Sequence, residues 1–134
     1  VFRSFISDLE KSGWKVIITS GNRDSKKQAQ LHKDNPSNAS AGYSMHEYGM
    51  SIDLNLDNGE IYLNKSSSAD KWKASGVLDI AKKYNLFWGG NIAGYYDPIH
   101  FDMRNLYSID FLRSKAIAQF GSAENIKGNQ VNLS

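Results

Sequence analysis

Residues 50–63 read MSIDLNLDNGEIYL, and this stretch decides the fold. Apolar and polar residues alternate from Met50 to Leu56, the period of a strand with one face buried. The "DNGE" that follows is a hairpin signal, leading into a second short run, "IYL". Outward from this hairpin, "WKVIITS" (14–20) is rich in β-branched residues and reads as a buried strand. "LFWGGNIAGYYDPIHFDM" (86–103) reads as an aromatic strand, a glycine-rich loop and another strand.

Helical patterns are interleaved with these strands. Phe2, Phe5, Ile6 and Leu9 fall at helical spacing, with Gly13 as a stop. "GNRDSKKQAQLHK" (21–33) reads as a turn entering a helix, capped by Asp24 or by Ser25 with Gln28 three residues on. "KSSSADKWKASGVLDIAKKYN" (65–85) predicts one helix carrying Trp72, Val77, Ile80 and Ala81 over the sheet, and "SIDFLRSKAIAQF" (108–120) a final amphipathic helix. "DNPSNASAGYS" (34–44) reads as a loop. The class is α+β, a small central antiparallel sheet flanked by helices. One domain is expected over residues 1–120, with a polar tail or linker over 121–134.

Composition narrows the function classes. The chain has 134 residues, 40% of them hydrophobic, enough to build one core unaided. Cysteine is absent, which excludes thiol nucleophiles, disulfide frameworks and Cys-based zinc sites. A net charge of +2 without a run of five like charges gives no footprint for nucleic acid. No apolar stretch is long enough to span a membrane and no signal-peptide pattern opens the chain. The first residue is valine, which points to a processed chain or to one domain of a longer protein.

The chemistry centres on the histidines. His46 precedes Asp53 by seven residues, about 10.5 Å along a helix and roughly 23 Å along a strand. The two reach one ion only if the chain bends between them, and Gly49 sits where the bend is needed. In "DPIHFD" (97–102) a second histidine, His100, alternates away from Phe101. Two histidines and a carboxylate make a standard catalytic zinc set, and a spare carboxylate nearby can move a proton. Taken singly, neither half identifies a metal site. His32 reads as a surface or packing residue, and Glu47 as pointing outward. The Asp- and Asn-rich "DLNLDNGE" lacks the spacing of a calcium loop and reads as a β-turn.

Three blocks taken together resemble a known family. "SMHEYGMSID" (44–53) resembles the Ser-x-His-x-x-Gly-x-x-x-Asp signature of the D-Ala-D-Ala carboxypeptidase and endolysin group, the M15 or LAS zinc peptidases. "WGGNIAGYYDPIHFD" (88–102) is similar to its second signature, and "SGNRDSKKQAQL" (20–31) to its upstream segment. The resemblance implies that His46, Asp53 and His100 are zinc ligands and that Asp97 is the catalytic acid/base. It implies that Arg23 holds a substrate carboxylate or the oxyanion. Gln28 and Ser44 match positions that the family places near the substrate, and Trp88, Tyr95 and Tyr96 are candidate groove aromatics. Asp102 competes with Asp97 for the acid/base role, or orients a ligand histidine.

Two positions depart from the family pattern: Ser51 stands where Ala is usual, and Asp24 where serine follows the arginine. The activity implied is cleavage of peptidoglycan stem peptides at the bacterial wall, as an L-alanyl-D-glutamate endopeptidase of phage lytic or tail-associated type. The alternatives are a D-alanyl-D-alanine carboxypeptidase and a non-catalytic metal- or wall-binding module. A catalytic module of a larger phage or cell-wall protein fits the same resemblance.

Overall fold

A computed structural model describes residues 1–21, 23–36, 38–124, 126 and 131–132. The chain folds as two compact units, Val1–Ser20 with Ile52–Asp102, and Gly21–Ser51 with Met103–Ser134. No helix among the described residues is long and apolar enough to cross a membrane.

The first unit holds the sheet. α1 (Phe2–Lys11) buries Phe5 and Leu9, four residues apart on one helix face. β1 (Lys15–Ser20), β2 (Ser51–Asp57), β5 (His100–Asp102) and β4 (Phe87–Trp88) lie side by side in that order, and β3 (Tyr62–Leu63) pairs with β2. The β1–β2, β2–β3 and β4–β5 pairs are antiparallel. The expected hairpin is present: Leu56 faces Leu63, and the side chains of Asp57 and Asn58 take backbone N–H bonds from Gly59, Glu60 and Ile61. The expected single helix over 65–85 is two, α3 (Ala69–Ala74) and α4 (Val77–Lys83). They part at Ser75 and Gly76, where Gly76 takes φ 83. Phe5, Trp72, Trp88 and Phe101 build an aromatic core, with Phe101 5.2 Å from Phe5 and 6.2 Å from Trp72 between ring centroids.

One strand expectation needs correction. β1 is an edge strand rather than a buried one, and its Ile18 is 55% exposed. A β-branched run encodes extended backbone; depth depends on neighbours that local sequence does not name.

The second unit is helical. α2 (Ser25–Asp34) is capped by Asp24, whose carboxylate accepts from Lys27 N–H at 2.7 Å. A 3-10 turn, Met45–Tyr48, packs Met45 and Tyr48 against Leu112 and Ala116 of α5 (Ile109–Phe120). Of the segment after α5, expected to extend as a polar tail, Ala123 and Ile126 are instead buried in this core and Val131 packs beside them.

Ser51 opens β2 with its hydroxyl buried and without a hydrogen-bond partner. An unsatisfied buried hydroxyl costs about 1–3 kcal/mol, so Ser51→Ala is expected to raise the urea midpoint, by about 1 kcal/mol in stability. A clear loss of stability in the variant would contradict this.

Candidate metal centre

In the first unit, β2 and β5 bring three ionisable side chains together. Leu54 N–H donates to Ile99 O at 3.0 Å, which sets Asp53 beside His100. His100 Nδ1 lies 2.9 Å from Asp53 Oδ1, and Nε2 lies 2.7 Å from Asp102 Oδ2. All three are buried, Asp102 completely. Burial alone would depress the imidazole pKa, but the hydrogen bonds to Asp102 and then Asp53 outweigh it, and His100 is pushed up to about 9. The geometry explains the direction. With Asp102 accepting from Nε2–H, the Nδ1 lone pair and the Asp53 carboxylate face each other unless a positive charge stands between them. A proton meets that need; so does a metal ion.

The glycine loop ahead of β5 is fixed by close packing. A Cβ on Gly89 would collide with the Asp97 carbonyl oxygen and the His100 Cβ, so the Asp97–His100 turn can lie on this position only if it is glycine. Asp97 N–H donates to Gly89 O and His100 N–H to Asp97 O, at 3.1 and 3.2 Å. Trp88 is buried and its indole N–H donates to Pro98 O at 2.8 Å, supporting the loop from within. Tyr96 packs edge-on against Trp88 and is the more exposed of the two. Its hydroxyl donates to Ser67 O at 2.7 Å.

In the second unit, His46 sits on the 3-10 turn. Ser44 and Glu47 form a capping box around it, and Gly49 ends the turn in the left-handed region at φ 68. His46 Nδ1 lies 2.7 Å from Gly21 O. A carbonyl oxygen can only accept, so Nδ1 carries a proton, as it does in a histidine that ligates through Nε2. Arg23 N–H donates to His46 O at 2.9 Å. The Arg23 guanidinium donates to Gln28 Oε1 at 3.2 Å, while Gln28 Nε2 donates to Ala39 O at 2.6 Å. Gln28 and Ser44, expected near the substrate, are buried and occupied with Arg23 and the turn. His32 stays structural, with Nδ1 2.6 Å from Asn38 O.

Glu47, expected to point outward, is instead fully buried. Its carboxylate accepts from Ser25 Oγ at 2.7 Å, from Gly42 N–H, and from Ser44 N–H. Burial pushes its pKa up, against those donors and the charge of Arg113. The Ser44-x-x-Glu47 spacing of a capping box is the sequence signal that points to this placement.

His46, Asp53 and His100 are each buried, and two imidazoles with a carboxylate are donor types that zinc takes. Each histidine has one ring nitrogen held by protein, His46 by Gly21 O and His100 by Asp102, as ligand histidines do.

Comparisons with known proteins place the chain among peptidases. Residues 37–103 match the profile of the M15 group described as D-alanyl-D-alanine carboxypeptidase. The chain is 31% identical over 105 residues to the peptidoglycan L-alanyl-D-glutamate endopeptidase CwlK of Bacillus subtilis (strain 168), over 68% of this chain and 62% of that protein. The chain therefore spans under two thirds of that relative's length. The crystal structure of the Serratia marcescens L-Ala D-Glu endopeptidase ChiX shares the fold, with a TM-score of 0.54, 18% identity and 74% of each chain covered.

A pH dependence follows from the raised pKa. His100 holds its proton more tightly folded than unfolded, so its contribution is full below about pH 6.5. It is lost as pH rises through about 9. Urea unfolding of the metal-free protein is expected to show stability falling over that window, and falling less in Asp102→Asn. A flat profile would contradict the assignment.

Proposed function

This chain belongs to the M15 peptidase family, and we propose that it is a zinc-dependent peptidase that cuts peptidoglycan stem peptides between L-Ala and D-Glu. The observation that carries the reading is His100 pinned between two buried carboxylates, a place that demands a cation. His46, Asp53 and His100 would hold zinc, and bound zinc supplies Lewis-acid chemistry that makes water a competent nucleophile near neutral pH. Asp97 takes the proton of the attacking water and returns it to the leaving amine. The Arg23 guanidinium meets the negative charge that grows on the scissile carbonyl oxygen, with one N–H already spent on Gln28 to limit its swing. Asp102 is assigned to His100 rather than to the proton shuttle, since its carboxylate is fully buried against the imidazole. Tyr96 offers its ring to the peptide, and Gln28, Ser44 and Trp88 support the residues that touch it.

The choice of bond rests on the likeness to CwlK and on aspartate at position 97, where the resemblance favours endopeptidases. The family profile's own description favours removal of a terminal D-Ala instead. The place of action would be the bacterial wall, with this chain as a catalytic module of a phage or cell-wall protein. A binding module without catalysis would have no use for Asp97 and Arg23.

Purified sacculi decide between these readings. Wild type is expected to carry zinc by elemental analysis, to lose activity to a chelator, and to release fragments with a new amino-terminal D-Glu by mass spectrometry. Asp97→Asn is expected to lose about 10²–10⁴-fold in turnover while keeping its zinc. Free D-Ala as the product would establish the carboxypeptidase. Equal activity in Asp97→Asn, or wild type without zinc, would sink the mechanism.

A further inference from the structure

The second unit contains a charged group that the proposed chemistry leaves unused. Glu47 adjoins His46 in sequence, is completely buried, and meets only donors aimed at its carboxylate in the hydrogen bonds described. Ser25 Oγ donates to Oε2 at 2.7 Å. Gly42 N–H reaches both oxygens at 2.8 and 2.9 Å, and Ser44 N–H reaches Oε1 at 3.2 Å. A carboxylate takes all of these donors at once, whereas an amide would have to reverse the bond to Ser25 Oγ and give up the second contact with Gly42 N–H.

What these donors belong to gives the carboxylate its task. Ser25 opens α2, and its backbone N–H and Oγ are both bonded to Ile126, at 2.6 Å each. Two residues before Ser25, Arg23 N–H donates to His46 O; two residues further back, Gly21 O fixes the His46 ring. The chain from Gly21 to Ser25 is therefore held to the 3-10 turn at three points: the His46 ring, the His46 carbonyl and the Glu47 carboxylate. The first two set the ligand's tautomer and the place of Arg23. The third is the anchor that stops the segment sliding along the turn.

We infer that Glu47 is a positioning residue for the metal site: by holding Ser25 and Gly42 it keeps Gly21 O against the His46 ring and Arg23 beside His46. This rests on the reading of His46 as a metal ligand. Groups that orient a ligand histidine typically change metal affinity by about 10–100-fold when removed.

The test uses Zn2+ alone, in competition with a chelator, and ¹⁵N NMR of the histidine rings in the metal-free protein. Glu47→Gln preserves shape but removes one acceptor. It is expected to bind Zn2+ at least about 10-fold more weakly than wild type, and its His46 ring to lose the pure Nδ1–H signature. Ser25→Ala, which removes one tether and leaves the carboxylate, covers the case in which Glu47→Gln does not fold. It is expected to shift both readouts in the same direction by less. Wild-type Zn2+ affinity and an unchanged His46 tautomer in the folded variant would overturn the inference. Wild type that binds no Zn2+ would overturn the metal reading as well, whereas equal affinities in wild type and variant would sink only the role of Glu47.

Discussion

The candidate site is organised by a buried imidazole standing between two carboxylates. Asp53 and Asp102 approach His100 from its two ring nitrogens at 2.9 and 2.7 Å, and all three are buried. Burying such groups costs several kcal/mol apiece before their attraction is counted. Apolar residues of like volume would make an equally good or better core at the end of β2 and β5. The sheet is short here, with β4 two residues long and β5 three, so little backbone pairing offsets that cost. What the arrangement gains is a fixed ring whose two nitrogens face different partners.

Those partners divide the labour. Asp102 lies two residues from His100 on the same strand, so the pleat puts both side chains on one face. That contact is built into the strand and holds whatever else binds. Asp53 comes from the neighbouring strand and meets the nitrogen left over. A proton between them satisfies the charge, and so would a divalent ion. His46 follows the same plan with different means: a backbone carbonyl, Gly21 O, does for its Nδ1 what Asp102 does for His100. One ring is held by a carboxylate and the other by a neutral dipole. A metal ion at His100 would compete with a proton there, while the ring of His46 is held only through a neutral carbonyl.

Much of this is legible in the sequence. Alternation from Met50 to Leu56 and the "DNGE" turn point to the hairpin, because a half-buried strand and a tight turn are both local signals. The ligand candidates are legible because a histidine, a glycine and an aspartate at that spacing make sense only with a bend, and Gly49 makes it. What escapes is set by tertiary neighbours. Nothing near Val16 says that β1 has a partner on one side only. The return of Ala123 and Ile126 to the second unit's core depends on Met45 and Leu112, remote in sequence. Glu47 escapes for another reason. The average preference of a charged residue for water places it outside, although the capping-box spacing with Ser44 argues otherwise.

Glu47 also bears on why the polar loop before His46 holds a defined path. Gly42 lacks a side chain because a Cβ there would run into the Ala123 carbonyl and the Arg113 guanidinium. The same close approach leaves its N–H pointing at Glu47. Arg113 stacks on Tyr43 at 3.8 Å, and its charge lies near enough to the buried carboxylate to favour the ionised form. A loop of small polar residues has little apolar area with which to order itself, and its conformational entropy opposes order at about 1–2 kcal/mol per residue. A single buried carboxylate collecting donors from Gly42, Ser44 and Ser25 sets several hydrogen bonds against that loss, each contributing about 0.5–1.5 kcal/mol. On the role inferred for Glu47, the order of the loop and the placing of His46 share one side chain among their supports. That makes position 47 a place where stability and metal binding are expected to change together.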